Sequence, residues 1–160
     1  MDNTLPPGVS KEEALEGARR ITEGTLMDRL GLEWLEVGTK RLVARIPVEG
    51  NTQPYGILHG GATASLCETI GSFGAVLVAG LDKAAVGLNL TINHLRPVTA
   101  GHVTATGVPV HAGRTTAVWD MRVEDDDGRL VAVSRLTLAI RDQIPGAGAP
   151  SSNGIFGRLS

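Results

Sequence analysis

At 160 residues, 42% hydrophobic and 20% charged, the chain is long enough to bury a core and short enough to form one globular domain. A formal net charge of -2 with no block of lysine or arginine excludes the basic field that draws nucleic acid or an anionic membrane surface. The one cysteine, Cys67, allows neither an internal disulfide nor a cysteine metal cluster, and MDNTLPPGVSKEE has no apolar leader, so a reducing, cytoplasmic setting is expected.

In chain order, Ser10 and Glu13 have the spacing of a capping box, and Ala14, Ala18 and Ile21 follow at helical intervals. A helix is therefore expected from Lys11 to about Leu30, as an accessory element at residues 1–30. Gly31 to Val48 alternates, with Leu42, Ala44, Ile46 and Val48 on one side, which predicts two strands turning near Gly38. Glu49 to Gly56 reads as a loop, and a long helix begins near Gly60. That helix is apolar enough to raise the question of a membrane span, but Glu68, Thr69, Ser72 and interior glycines argue against one.

Four strand patterns follow, Ala85 to Arg96, His102 to His111, Thr115 to Glu124 and Leu130 to Arg141, with turns rich in Gly, Pro and Asp between them. In the last, Leu130, Ala132, Leu136, Leu138 and Ile140 keep a period of two, broken by Ser134. Residues 142–160 have the Gly, Pro, Ala and Ser content of a flexible tail. One long helix among six antiparallel strands implies an α+β layer over 31–141, in which the sheet curls around the helix and buries it. Such a sheet has exposed edges that a second copy would close, so a homo-oligomer is expected.

On a helix over 60–80, Leu66, Ile70, Phe73 and Leu77 form the core stripe. Glu68 lies nearly opposite, among Ala64, Ser65, Ser72, Ala75 and Ala79, with Ser72 one turn further on. A solvated face normally carries many charges, whereas this one has a single carboxylate among small residues. It is either an ordinary exposed glutamate or a carboxylate against which something packs. His59 and Gly60 stand where the helix starts, and its first amides, free of intrahelical acceptors, can receive a carbonyl oxygen or oxyanion. The same pair also suits a plain turn into a helix. Gln53, in the preceding loop, can donate a neutral hydrogen bond to a carbonyl.

The run QPYGILHGGATASLCETIGS resembles the hotdog-fold acyl-CoA thioesterases. So do VGLNLTINHLRP, GHVTATGVPVHAGRTTAVWDMRV and DDDGRLVAVSRLTLAI, which extend the likeness over roughly Asn51 to Arg141. The branch it is similar to is the PaaI-like one of 4-hydroxybenzoyl-CoA and 1,4-dihydroxy-2-naphthoyl-CoA thioesterases. The resemblance implies a hotdog fold, a long central helix wrapped by a curved six-stranded antiparallel sheet, here with an extra N-terminal helix. It implies hydrolysis of an acyl-CoA, with an aryl or medium-chain acyl group, and no cofactor.

Position by position, the resemblance makes Glu68 the nucleophile or general base, Gln53 the side chain that contacts the thioester carbonyl, and Gly60 the amide that polarises it. His59 is the histidine of the HGG motif, and Ser72 assists the water or the carboxylate. His94, in phase with Val86, Leu88, Leu90 and Ile92, is either a satisfied core or edge histidine or, as similar histidines in relatives imply, a neighbour of the acyl or pantetheine channel. Arg114, in the AGR turn, is either simply solvated or placed to meet CoA phosphates. The sites are expected across a homodimer interface, with a homotetramer as the full assembly. No set of residues has the spacing of a metal site. A hotdog hydratase would need an Asp where Pro54 stands. A non-catalytic acyl-CoA-binding or regulatory module on the same fold would not need Glu68, Gln53 and Gly60 together.

Overall fold

The structure, a computed structural model, describes residues 3–5 and 8–142; the tail expected from Gln143 lies outside them. The elements run α1 (Lys11–Thr22), α2 (Leu26–Arg29), β1 (Glu33–Glu36), β2 (Leu42–Pro47), α3 (Gly60–Ala79), β3 (Ala84–His94), β4 (His102–Ala112), β5 (Thr116–Asp125) and β6 (Leu130–Arg141). The strands make one antiparallel six-stranded sheet in the order β1-β2-β4-β5-β6-β3. The sheet curves around α3, which touches every strand from β2 to β6. This is the expected hotdog arrangement.

Leu66, Ile70, Phe73 and Leu77 are buried on the sheet side of α3, against Val103, Ala105, Trp119, Met121, Val123, Leu136 and Leu138. Each large side chain removed from water in this way contributes roughly 1.5–3 kcal/mol. The Trp119 ring lies directly on Gly74, where any Cβ would collide with it. The glycine therefore sets how closely helix and sheet approach. Although α3 is long and apolar enough to cross a membrane by composition, it is packed as the core helix of this sheet.

The capping box closes as expected, with Ser10 N–H donating to Glu13 Oε2 (2.8 Å) and Glu13 N–H to Ser10 Oγ (3.2 Å). Ala14 and Ala18 are fully buried, so α1 shares the main core through its packing on β1. The single helix expected from Lys11 to about Leu30 is interrupted. Gly24 takes a φ of +71°, and Thr25 caps a new short helix by accepting from Met27 N–H at 3.2 Å. Glycine enters the left-handed region without steric cost and Thr is a good N-cap, so the chain turns there.

β3 departs from simple alternation as well. Its register on β6 shifts between Gly87 and Asn89, leaving Leu88 unpaired in a bulge and 63% exposed. Ala85 and Gly87 pair with Ile140 and Leu138, while Leu90, Ile92 and His94 pair with Leu136, Ser134 and Ala132. Both sets face α3, because a bulge reverses the phase of everything beyond it. The single phase expected from Val86 through Leu88 to His94 is thus corrected: His94 shares its face with Leu90 and Ile92, but not with Val86.

Candidate active site

The loop before α3 is tied down at Asn51. Its Nδ2 donates to Leu30 O (2.8 Å) and Pro47 O (2.9 Å), and its carbonyl accepts from His59 N–H (2.8 Å). Between these ties Gln53 N–H donates to Ile57 O (2.9 Å) and Gly56 N–H to Gln53 O (2.9 Å). This tight excursion leaves the half-buried Gln53 side chain without a hydrogen-bond partner among the described residues.

His59 is the N-cap of α3. Its Nδ1 accepts from Gly61 N–H at 2.8 Å, and its carbonyl accepts from Ala62 N–H at 3.0 Å. Nothing among the described residues accepts from Gly60 N–H, so the dipole end of a 20-residue helix presents one free donor. The His94 ring covers Gly60 so closely that a Cβ there would sit 2.8 Å from Nε2. Gln53, Gly60, Thr63 and His94 line one cavity of about 350 Å³.

Glu68 and Ser72 line a different cavity, of about 500 Å³, with Phe73 and Val76 of α3 and Ala85 of β3. The opposite wall comes from α1 and α2. Glu68 is exposed in the single chain and makes no ion pair among the described residues. Its carboxylate lies over Gly87, where a Cβ would stand 2.7 Å from Oε1. The other hydroxyls around it are committed: Ser65 Oγ donates to Gly61 O (2.9 Å) and Thr69 Oγ1 to Ser65 O (2.8 Å), while Thr22 and Thr25 bond backbone carbonyls of α1. Ser72 is the one with no such bond among the described residues. Ala75, expected on the Glu68 face, is instead buried, at 1% exposure.

Arg114 is exposed on the turn between β4 and β5, outside both cavities and without an ion-pair partner among the described residues. That turn adjoins Ile140, at the end of the sheet opposite the His94–Ala132 pair. A further depression of about 650 Å³ lies on the outer sheet face and contains none of the candidate residues. Its charged residues satisfy one another, Arg122 with Glu124 and Arg135 with Asp120 in a forked pair at 2.6 and 2.7 Å.

Cys67 is buried, and burial pushes its thiol up to about 12 against a weaker opposing contact from Ser134. It is therefore no nucleophile at neutral pH. No three His, Cys, Asp or Glu converge as a metal site among the described residues. The two cavities bring together the Glu68 carboxylate, the Ser72 hydroxyl, the His94 imidazole, the Gln53 side chain and the free Gly60 amide. Sequence reasoning missed Gly87, although a glycine inside a strand is itself a sign of a bulge or of close approach. It also missed the α1–α2 wall.

The sequence profile of the Thioesterase superfamily matches residues 55–132. The chain is 38% identical over 127 residues to the proofreading thioesterase EntH of Cronobacter turicensis, covering 79% of this chain and 93% of that one. A solved thioesterase of Haemophilus influenzae superposes with a TM-score of 0.78 at 36% identity, over 83% of this chain and 94% of that one. A Staphylococcus aureus thioesterase superposes with a TM-score of 0.70 at 32% identity, over 72% of this chain and 98% of that one. It has been solved with one glutamine changed to alanine and, separately, with a glutamate fifteen positions further on changed to alanine.

Proposed function

The chain belongs to the thioesterase superfamily, and on that premise we propose that it hydrolyses acyl-CoA thioesters to the free acid and CoA. What carries the reading is a free Gly60 amide beside the unpaired Gln53 side chain, with an unpaired Glu68 carboxylate further along the same helix. Gln53 and Glu68 also have the fifteen-residue separation of the glutamine and glutamate replaced in the Staphylococcus aureus enzyme.

A thioester carbonyl is electrophilic and its thiolate leaves readily. Gly60 N–H and the Gln53 amide hold the oxygen as negative charge develops on it. Glu68 either attacks the carbonyl carbon, expelling the CoA thiolate and leaving a mixed anhydride for water to open, or takes a proton from the water that attacks. Ser72 offers its uncommitted hydroxyl to that water. His59 contributes through the helix end: by occupying Gly61 N–H it leaves the Gly60 amide as the exposed donor. His94, packed on Gly60, borders the path of the thioester.

Glu68 and Gly60 are eight residues apart on α3, which is about 12 Å along the axis. Reaction requires the attacking atom within about 3–3.5 Å of the carbonyl carbon. The Glu68 that attacks a carbonyl held at Gly60 must therefore come from a second copy of the chain. β3 is an eleven-residue edge strand, whereas the other edge, β1, has four residues. Pairing of β3 with its copy closes the longer edge and brings the Glu68 that rests on it toward the junction. The assembly is a homodimer with shared sites, paired further into a homotetramer.

Phe73, Val76 and Leu26 favour an aryl or medium-chain acyl group, and the exposed Arg114 is assigned to the CoA phosphates. The cytoplasm is the proposed setting, in keeping with a lone, buried, unpaired cysteine. Free thiol release from aryl- and aliphatic acyl-CoAs tests the reading. Wild type turns over some of them, while Glu68→Ala and Glu68→Gln, verified as folded oligomers, lose about a hundredfold or more in kcat. Binding without turnover in the wild type would leave a non-catalytic acyl-CoA-binding module instead. Arg114→Ala raises KM for CoA thioesters but not for N-acetylcysteamine thioesters.

A further inference from the structure

The cavity beside Glu68 is not made by the sheet and central helix alone. Ile21 and Thr22 at the end of α1, Thr25 of the connecting turn, and Leu26 and Met27 of α2 supply its outer wall. The turn is specifically built. Gly24 is held left-handed, its N–H donates to Asp28 Oδ2 (3.1 Å), and Thr25 donates to Thr22 O (2.6 Å) while capping α2. Met27 is thereby buried to 6% exposure, while Leu26 beside it stays 54% exposed at the cavity. Leu26 is thus held by a braced turn at the mouth of the same cavity that Glu68, Phe73 and Val76 line.

We infer that the α1–α2 elbow is the distal wall of the acyl pocket and that Leu26 sets the length of acyl group accepted. The inference rests on the assignment of Glu68 to thioester hydrolysis. The lining chemistry narrows the substrate class. Ile21, Leu26, Met27, Phe73, Val76 and Ala85 are apolar, and Glu68 is the only charged residue of the wall. The part of the lining that this chain supplies is thus suited to the apolar portion of an acyl group. At about 500 Å³ it has the size of a small-ligand site.

The test compares wild type with Leu26→Ala and Leu26→Trp on a straight-chain series from butanoyl-CoA to dodecanoyl-CoA, with benzoyl-CoA alongside. Alanine opens the wall and moves the kcat/KM optimum to longer chains. Tryptophan fills it and moves the optimum to shorter ones. The dodecanoyl-to-butanoyl ratio changes about tenfold or more in opposite directions, the scale at which an apolar pocket discriminates chain length. Unchanged profiles in both variants, with thermal melting as in wild type, would overturn the assignment of Leu26 and leave the thioesterase reading intact. Absence of wild-type turnover would instead refute that reading. Binding of non-hydrolysable alkyl-CoA thioethers then decides the pocket by itself: the same opposite shifts in Kd with chain length support the elbow, and equal Kd values across the variants dismiss it.

Discussion

Complementation between two defective subunits decides whether each site draws on two chains. Glu68→Ala removes the base or nucleophile, and Gln53→Ala removes one donor to the carbonyl. Each homodimer should be down by about a hundredfold or more. Because Gly60 and Glu68 are eight residues apart on α3, about 12 Å at 1.5 Å per residue, the proposed mechanism requires each site to take Gln53 and Gly60 from one chain and Glu68 from the other. Co-expression under two affinity tags isolates the heterodimer. One of its sites then holds both substitutions and the other holds neither, so the heterodimer recovers about half of wild-type activity from two inactive parents. Thiol release on tandem-purified material, with sizing to show an intact assembly, reads this directly. A heterodimer that stays at the parental level would mean that every site carries one defect, and the two-chain geometry would be refuted.

Gly87→Ala places a methyl 2.7 Å from Glu68 Oε1. The carboxylate is the mobile end of its side chain, so folding stability should stay within about 0.5 kcal/mol in urea titration while kcat falls about tenfold or more from misplacement. Equal kcat would show that the carboxylate's rest on β3 is irrelevant to turnover. His59→Ala removes the acceptor for Gly61 N–H and should cost about 1 kcal/mol in the same titration, with His59→Asn restoring most of it. If Asn restores stability but not activity, the imidazole has a chemical role beyond the cap. For Cys67, the folded thiol is raised from 9.0 to about 12. Above pH 9 the unfolded chain loses this proton while the folded one keeps it, so wild-type stability falls relative to Cys67→Ala by up to about 1.4 kcal/mol per pH unit until pH 12. Parallel pH profiles for the two proteins would contradict the burial of that thiol.

Much of this molecule follows from local pattern. The capping box at Ser10 and Glu13, the buried stripe of α3 and the succession of strand segments along the chain depend on residues a few positions apart, and chain order preserves those relations. The oddness of Glu68 was visible for the same reason: a lone carboxylate among Ala and Ser contrasts with its own helix. What pattern could not supply were relations between segments distant in the chain. The bulge at Leu88 arises from the register of β3 on β6, so periodicity along β3 alone misassigned the face of Val86 relative to His94. Ala75 looked like part of the small face beside Glu68, yet its burial was decided by what packs around the helix.

His59 shows the same division at shorter range, since its HGG position suggested chemistry and only the ring's orientation on Gly61 N–H showed a cap. The break at Gly24 had a local sign, a glycine followed by a capping threonine, but its consequence did not. Sequence determined that a helix, a carboxylate, a glycine start and a loop glutamine exist. Tertiary structure decided that Glu68 and Gly60 lie in separate cavities of one chain, and that an N-terminal elbow walls the first of them. Distances through space depend on how sheet and helices pack, and no spacing along the chain encodes them.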